Sequence, residues 1–265
     1  MEFEYELGEV ESAILNLAEE LAEITQKIEY EALFYKAVRE LTYSKIEISN
    51  ALNKLYLKKF IRVGSRLTKS RVLENLGRKK IYDYTSSHPG AHLRELADRL
   101  SITPNLLYWH LNMLENFEYI YRVKFLNYVN FFPSSFSKNH VFPFLVLKNK
   151  NALRIFTKIL KNPLIDFETL RDGLSIQKSV ISYHLENLFK FNLVFEQKFS
   201  EKVLYGINHD ETAAIKIFYN LSDEILQNSI EIQASKIEKL NIEQNKFDKS
   251  GQDEKNIEDK KNKAK

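Results

Sequence analysis

Residues 81–120, IYDYTSSHPGAHLRELADRLSITPNLLYWHLNMLENFEYI, lie in gapless register over residues 155–194, IFTKILKNPLIDFETLRDGLSIQKSVISYHLENLFKFNLV. At that offset of 74 positions, Pro89 meets Pro163, Leu96 meets Leu170, and Leu100-Ser101-Ile102 meets Leu174-Ser175-Ile176. Further on, His110-Leu111 meets His184-Leu185, Leu114 meets Leu188 and Phe117 meets Phe191. Self-similarity at a fixed offset marks a repeated structural unit. Within each copy the apolar residues recur at helical spacing in three short stretches, each bounded by a turn signal. In the first copy Ile81, Tyr84 and Thr85 precede the Pro89-Gly90 break, which should end helix one. Leu93, Leu96, Ala97 and Leu100 stripe helix two. Thr103 before Pro104 reads as an N-cap with proline at the first helical position, and Leu107, Leu111 and Leu114 bury helix three. In the second copy the same roles fall to Phe167, Leu170 and Leu174, then Ser175 at the turn, then Ile181, Leu185 and Leu188.

After each third helix comes an aromatic and β-branched segment with basic interruptions, YIYRVKFLNYVNFF from Tyr119 and LVFEQKFSEKVLYGI from Leu193. Both read as two-stranded hairpins. Three helices, a tight turn between the second and third, and a hairpin describe a winged helix-turn-helix. A more divergent unit precedes them: an amphipathic helix from Tyr30 to Leu41, a turn at Tyr43-Ser44, and a helix with Ile48, Leu52 and Leu55. FIRVGSRLT follows and is expected to form a reduced wing around Gly64-Ser65. The fold class is therefore mainly α with small β-hairpins, an α+β chain of tandem winged units. The boundaries expected are an acidic helix over 1–29, winged units over 30–69, 70–134 and 141–209, a helix over 210–243, and a charged tail from 244 to 265. That tail holds almost no apolar side chain and should be disordered.

The 265 residues include seven Gly, five Pro and no Cys, which favours helix and removes disulfides, thiol catalysis and Cys-based metal sites together. No apolar run is long enough to span a bilayer, and the acidic N-terminus is unlike a signal or transit peptide, so a cytoplasmic location is expected. The net charge of +3 hides a strong segregation. Residues 1–31 hold ten Asp and Glu against one Lys, whereas residues 45–80 hold eleven Lys and Arg against two Glu. The second block can present a positive field to a polyanion, or it can be a solvated face neutralised by the acidic helix. Val10, Ile14, Leu17, Leu21, Ile24 and Ile28 form a heptad seam that either pairs with a second copy through residues 9–28 or docks on its own chain. Ala214, Phe218, Leu221 and Ile225 form a second stripe, which makes residues 210–240 another dimerisation candidate.

The run Trp109-His110-Leu111 followed by Leu114, and its counterpart Tyr183-His184-Leu185 followed by Leu188, resemble the recognition helix of archaeal winged helix-turn-helix transcriptional regulators of the broad ArsR/MarR type. The two copies carry the resemblance over about 130 residues. It implies a helix inserted in the major groove, a wing tracking adjacent phosphates, and transcription regulation through double-stranded DNA.

Read from the residues themselves, helix three of the first copy should turn Thr103, Asn105, Tyr108, Trp109 and His110 toward DNA. In the second copy the corresponding set is Gln177, Lys178, Ser179, Ser182, Tyr183 and His184. Such polar groups hydrogen-bond base edges and phosphates, and the helix N-terminus favours phosphate oxygens. Arg122, Lys124, Lys198 and Lys202 are the wing candidates, with Lys58, Lys59, Arg62 and Arg66 as phosphate contacts from the basic block. Neither recognition helix carries an exposed Arg. Leu106, Tyr108 and Trp109 instead offer the composition of a protein interface, so a tandem winged-helix adaptor without nucleic acid is the alternative. The repeated His110 and His184 are first of all fold residues. His88 and His92 flank Pro89-Gly90 and so cannot share a helix face to hold a metal. No phosphate-binding loop, nucleophile elbow or zinc-protease motif occurs, so neither an enzyme nor a cofactor is expected.

Overall fold

The computed structural model describes residues 7–199, 202–210, 212, 219 and 222–262, with side chains described through Ile242. The chain forms two compact units, Met1–Ser137 and Lys138–Lys265. Ala214, Phe218 and Leu221 of the expected second stripe lie outside the described residues.

The first unit opens with three helices, α1 (Glu9–Thr25), α2 (Tyr30–Glu40) and α3 (Lys45–Leu57). Ser44 starts α3 through a capping box: the Glu47 N–H donates to the Ser44 hydroxyl and the Ser44 N–H to the Glu47 carboxylate. Ile14, Leu17 and Ala18 of α1 are buried with Leu33 and Ala37 of α2 and Ile48, Leu52 and Leu55 of α3. Burial of each large aliphatic side chain is worth roughly 1.5–3 kcal/mol. The heptad seam is thus consumed within the chain, leaving only Ile24 at its end exposed, by 77%. Residues 9–28 accordingly have no continuous apolar stripe left to offer a second copy.

The reduced wing expected around Gly64-Ser65 does not form. The Ile28 N–H donates to the Ser65 carbonyl and the Gly64 N–H to the Ile28 carbonyl, both at 2.8 Å. Those backbone groups are satisfied by the segment between α1 and α2, so a hairpin ladder has no partners to use. The 30–69 segment is therefore helical without a wing, and α1 completes its core.

The rest of the unit is a winged helix: α4 (Lys69–Val72), α5 (Leu76–Ser87), β1 (Ala91–His92), α6 (Leu93–Leu100), α7 (Pro104–Asn116), β2 (Ile120–Phe125) and β3 (Tyr128–Pro133). The strands make an antiparallel sheet in the order β1-β3-β2, with Ala91 opposite Phe131 and Val123 opposite Asn130. Gly90, at φ 70°, turns the chain into β1 and donates its N–H to the Phe131 carbonyl. Ser101 ends α6 in the left-handed region at φ 54°. Ile81, Leu96, Leu107, Leu111, Leu114, Phe117 and Phe131 fill the core, as the apolar spacing predicts.

The second unit repeats this plan with α8 (Val141–Leu147), α9 (Lys150–Lys161), β4 (Ile165–Asp166), α10 (Phe167–Arg171), α11 (Lys178–Lys190), β5 (Val194–Phe199) and β6 (Lys202–Ile207). Its sheet has the matching order β4-β6-β5, and Ser175 repeats the left-handed turn at φ 51°. The α12 helix (Asp223–Asn262) docks along it. There the Gln233 amide bonds both the N–H and the C=O of Ile207, Lys236 donates to the Pro163 carbonyl, and Ile237 and Leu240 pack on Leu164 and Leu204. The tail expected to be disordered from residue 244 instead continues this helix to Asn262. Lys, Glu and Gln carry good helix propensity and no proline interrupts them, so a helix can extend without an apolar face. Among the described residues no helix is long and apolar enough to cross a membrane.

Candidate nucleic-acid interface

The burial of α7 and α11 decides which side chains each can present. In α7 Leu107, His110, Leu111 and Leu114 face the core, leaving Asn105, Leu106, Tyr108 and Trp109 exposed behind Thr103 at the N-cap. In α11 Ile181, His184, Leu185 and Leu188 are buried, leaving Gln177, Lys178, Ser179, Ser182 and Tyr183 exposed. Neither Thr103 nor Gln177 caps with its side chain, so among the described residues the N–H groups of Asn105 in α7 and of Lys178 and Ser179 in α11 stay open to an acceptor. Lys178 lies over the Phe167 ring at 5.5 Å, beside a shallow groove of about 520 Å³ whose walls include Glu168, Ser182 and Glu186. Those two carboxylates would repel phosphate on that side of α11.

His110 and His184 leave the exposed set. Both are buried, and each ring sits edge-on to the aromatic residue before it, Trp109 or Tyr183, with centroids 5.1 Å apart. Desolvation lowers both imidazole pKa values, reinforced at His110 by the Arg78 charge. They pack as neutral rings at one repeated fold position and cannot reach a base edge.

On the wings Lys124, Lys198 and Lys202 are exposed, whereas Arg122 is latched to α7. Its guanidinium donates to both oxygens of Glu115 and to Asn112, and the hydrogen bonds to the Glu115 carboxylate raise the Arg122 pKa. Part of the basic block is engaged within the chain. Lys54 pairs with Glu11 at 2.6 Å, and Arg71 pairs with Glu19 at 3.2 Å and Glu23 at 2.7 Å. Arg62 donates to the Asn116 carbonyl, and Lys59 lies over the Tyr56 ring. Lys58 and Arg66 are exposed. Among the described residues the acidic helix thus neutralises Lys54 and Arg71, while Lys58, Arg66, Lys79 and Lys80 stay exposed.

Three features escape sequence reasoning. Strands β1 and β4 are two residues long, too short for any periodicity to register. His92 and Asp166, at the same repeat position, cap α6 and α10 by accepting the N–H groups of Glu95 and Thr169. The pairing of repeat positions could have suggested it, since both residue types accept a hydrogen bond. The buried Arg78, over the Trp109 ring at 5.7 Å, has no counterpart at Ala152 and no sequence signal.

Comparison with known proteins places the similarity on this geometry. Residues 75–140 match the HTH_HVO_0163_N family, an N-terminal HTH domain. The chain is also similar to a Methanocaldococcus jannaschii protein named uncharacterized HTH-type transcriptional regulator MJ1398. The two are 32% identical over 142 residues, which are 54% of this chain and 36% of that protein, so the chain spans about a third of that relative's length.

Proposed function

We propose that this chain is a DNA-binding transcriptional regulator of the archaeal ArsR/MarR kind, acting in the cytoplasm through double-stranded DNA. In this reading α11, and with it α7, enters a major groove while the wings hold phosphates. The observation that carries it is the outer face of α11: Lys178, Ser179, Ser182 and Tyr183 are exposed opposite the core stripe, on a helix with an uncapped N-terminus. Lys198 and Lys202 supply exposed cations on the same unit's wing. The helix-turn-helix match over residues 75–140 and the printed name of the archaeal relative support the same reading.

One observation favours the adaptor reading for α7 alone. Its exposed face is Leu106, Tyr108 and Trp109, the last 52% exposed, with no cation among them. The test is fluorescence anisotropy of the protein with random duplex DNA at two salt concentrations. Affinity should fall about a thousandfold between roughly 50 and 200 mM salt if six or more phosphates are engaged. Absence of binding at the lower salt overturns the DNA reading and leaves the adaptor.

A further inference from the structure

The N-terminus of α5 brings together open backbone N–H groups, a buried arginine without an ion pair among the described residues and a buried histidine without a hydrogen bond. The Asn75 side chain accepts the Arg78 N–H at 3.1 Å, and the N–H groups of Leu76 and Gly77 have no hydrogen-bond acceptor among the described residues. Arg78 is only 5% exposed, yet it forms no ion pair among the described residues. Its Nε donates to the Val72 carbonyl and its guanidinium lies over the Trp109 ring, while the exposed Glu74 acts on it only through its charge. A buried guanidinium is ordinarily paired. His110 is also 5% exposed and neither of its ring nitrogens has a hydrogen-bond partner, Nδ1 being fully enclosed. Its Nε2 faces the first turn of α5 so closely that a Cβ at Gly77 would lie 2.9 Å from it.

These groups are not demanded by the fold, because the second copy builds the same helix junction without them. Asn149 caps α9 as Asn75 caps α5, but Asn151 and Ala152 stand at the repeat positions of Gly77 and Arg78, while His184 is buried like His110. The first turn of α5 also breaks the usual charge preference. A helix N-terminus favours acids, yet this one has none and carries Arg78, Lys79 and Lys80 in sequence. Backbone N–H groups, a guanidinium without a counter-ion among the described residues and a neutral imidazole N–H together form a donor set matched to a tetrahedral oxyanion.

We propose that the first turn of α5, with Arg78 and His110, is a seat for a phosphate group, and that the group seated there is a DNA backbone phosphate. The second half rests on the DNA-binding reading above. Leu76 and Gly77 give N–H groups to the oxygens, exposed Lys79 and Lys80 draw the anion in, and Arg78 supplies charge from beneath Trp109. Gly77 is glycine so that the His110 ring can approach the turn.

The test uses full-length protein with 15N-labelled histidine, following the His110 imidazole resonance while adding either a 20-base-pair duplex at low salt or inorganic phosphate. Both additions should shift His110, and phosphate should leave His184 unmoved. Arg78→Gln should weaken phosphate binding about tenfold, the loss of one charge-assisted contact. If that variant does not fold, the exposed Lys79→Gln should make the salt dependence of DNA binding shallower by about one unit of slope. DNA binding by anisotropy with an unmoved His110 overturns the seat and leaves the DNA reading standing. A His110 shift with phosphate but no DNA binding overturns the DNA source and assigns the seat to free phosphate. No shift with either additive overturns the proposal.

Discussion

Arg122 on β2 reaches back to Glu115 on α7, its Nε donating to the two carboxylate oxygens at 2.6 and 2.7 Å. The pair ties the wing to α7 and occupies the one arginine on that hairpin with a carboxylate. Glu115→Gln should release the cation and raise affinity for random duplex DNA at low salt. The slope of log affinity against log salt should steepen by about one, as for one added phosphate contact. An unchanged slope would mean that Arg122 faces away from the phosphates even when freed.

Lys198 and Lys202, on β5 and β6 of the second unit, are exposed charges with no ion pair among the described residues. Replacing both with Gln should weaken binding nearly uniformly across sequences and make the salt slope shallower by about two, with the melting temperature unchanged. Loss confined to one sequence would assign them to base readout instead.

His110 and His184 are neutral in the folded chain, since burial lowers both pKa values. In the unfolded chain a histidine titrates near 6.5, so protonation favours unfolding. Their contribution is fully present above about pH 6.5 and is lost as pH falls toward the depressed folded values. Melting temperature should therefore decline between about pH 6.5 and 5, and His184→Asn should flatten that decline in a series of melts read by circular dichroism.

Glu19 sets a second, more acidic limb. Burial raises its pKa, but the Ser70 and Thr68 hydroxyls, both donating at 2.6 Å, and the Arg71 charge outweigh that and leave it lowered. Its stabilising effect is present above the unfolded value of 4.5 and disappears as pH falls through the folded one. Glu19→Gln should cost stability at neutral pH and remove part of the acid dependence, as measured by melts from about pH 6 to 3.

Gly206 on β6 lies directly across from Phe195 on β5, whose ring covers the position a side chain would take. A Cβ there would sit 2.4 Å from the ring tip. Gly206→Ala should destabilise the second unit by about 1–3 kcal/mol, a typical overpacking cost. Denaturant melts would detect it, and pairing the change with Phe195→Leu should recover most of the loss.

Much of this architecture is legible because the repeat doubles every signal. Leu107, Leu111 and Leu114 could be an accident of spacing, but the same stripe at Ile181, Leu185 and Leu188 could not. Short-range cues read less well. The FIRVGSRLT run has the composition of a hairpin, yet its backbone bonds Ile28, more than thirty residues upstream, and nothing local announces that partner. Charge segregation between the acidic and basic windows is plain in the sequence, whereas the pairing of Glu19 with Arg71 depends on where α4 lies beside α1. The outer faces of α7 and α11 follow from periodicity, but the loss of His110 and His184 to the core follows from packing, as does the latch on Arg122. Glycine at 77 becomes intelligible only once the ring of His110 is seen beside it.

The position of α1 bears on how the chain is made. Synthesis proceeds from the N-terminus, so this acidic, half-apolar helix leaves the ribosome before the basic stretch it will cover. When Ile48, Leu52 and Leu55 emerge beside Lys54, a complementary surface is already waiting, with Glu11 and Glu19 placed to meet the cations. A nascent chain stripped of α1 would expose a sticky and cationic edge at once, inviting ribosomal RNA as well as aggregation. The helix therefore works as a built-in escort, delivered ahead of its client.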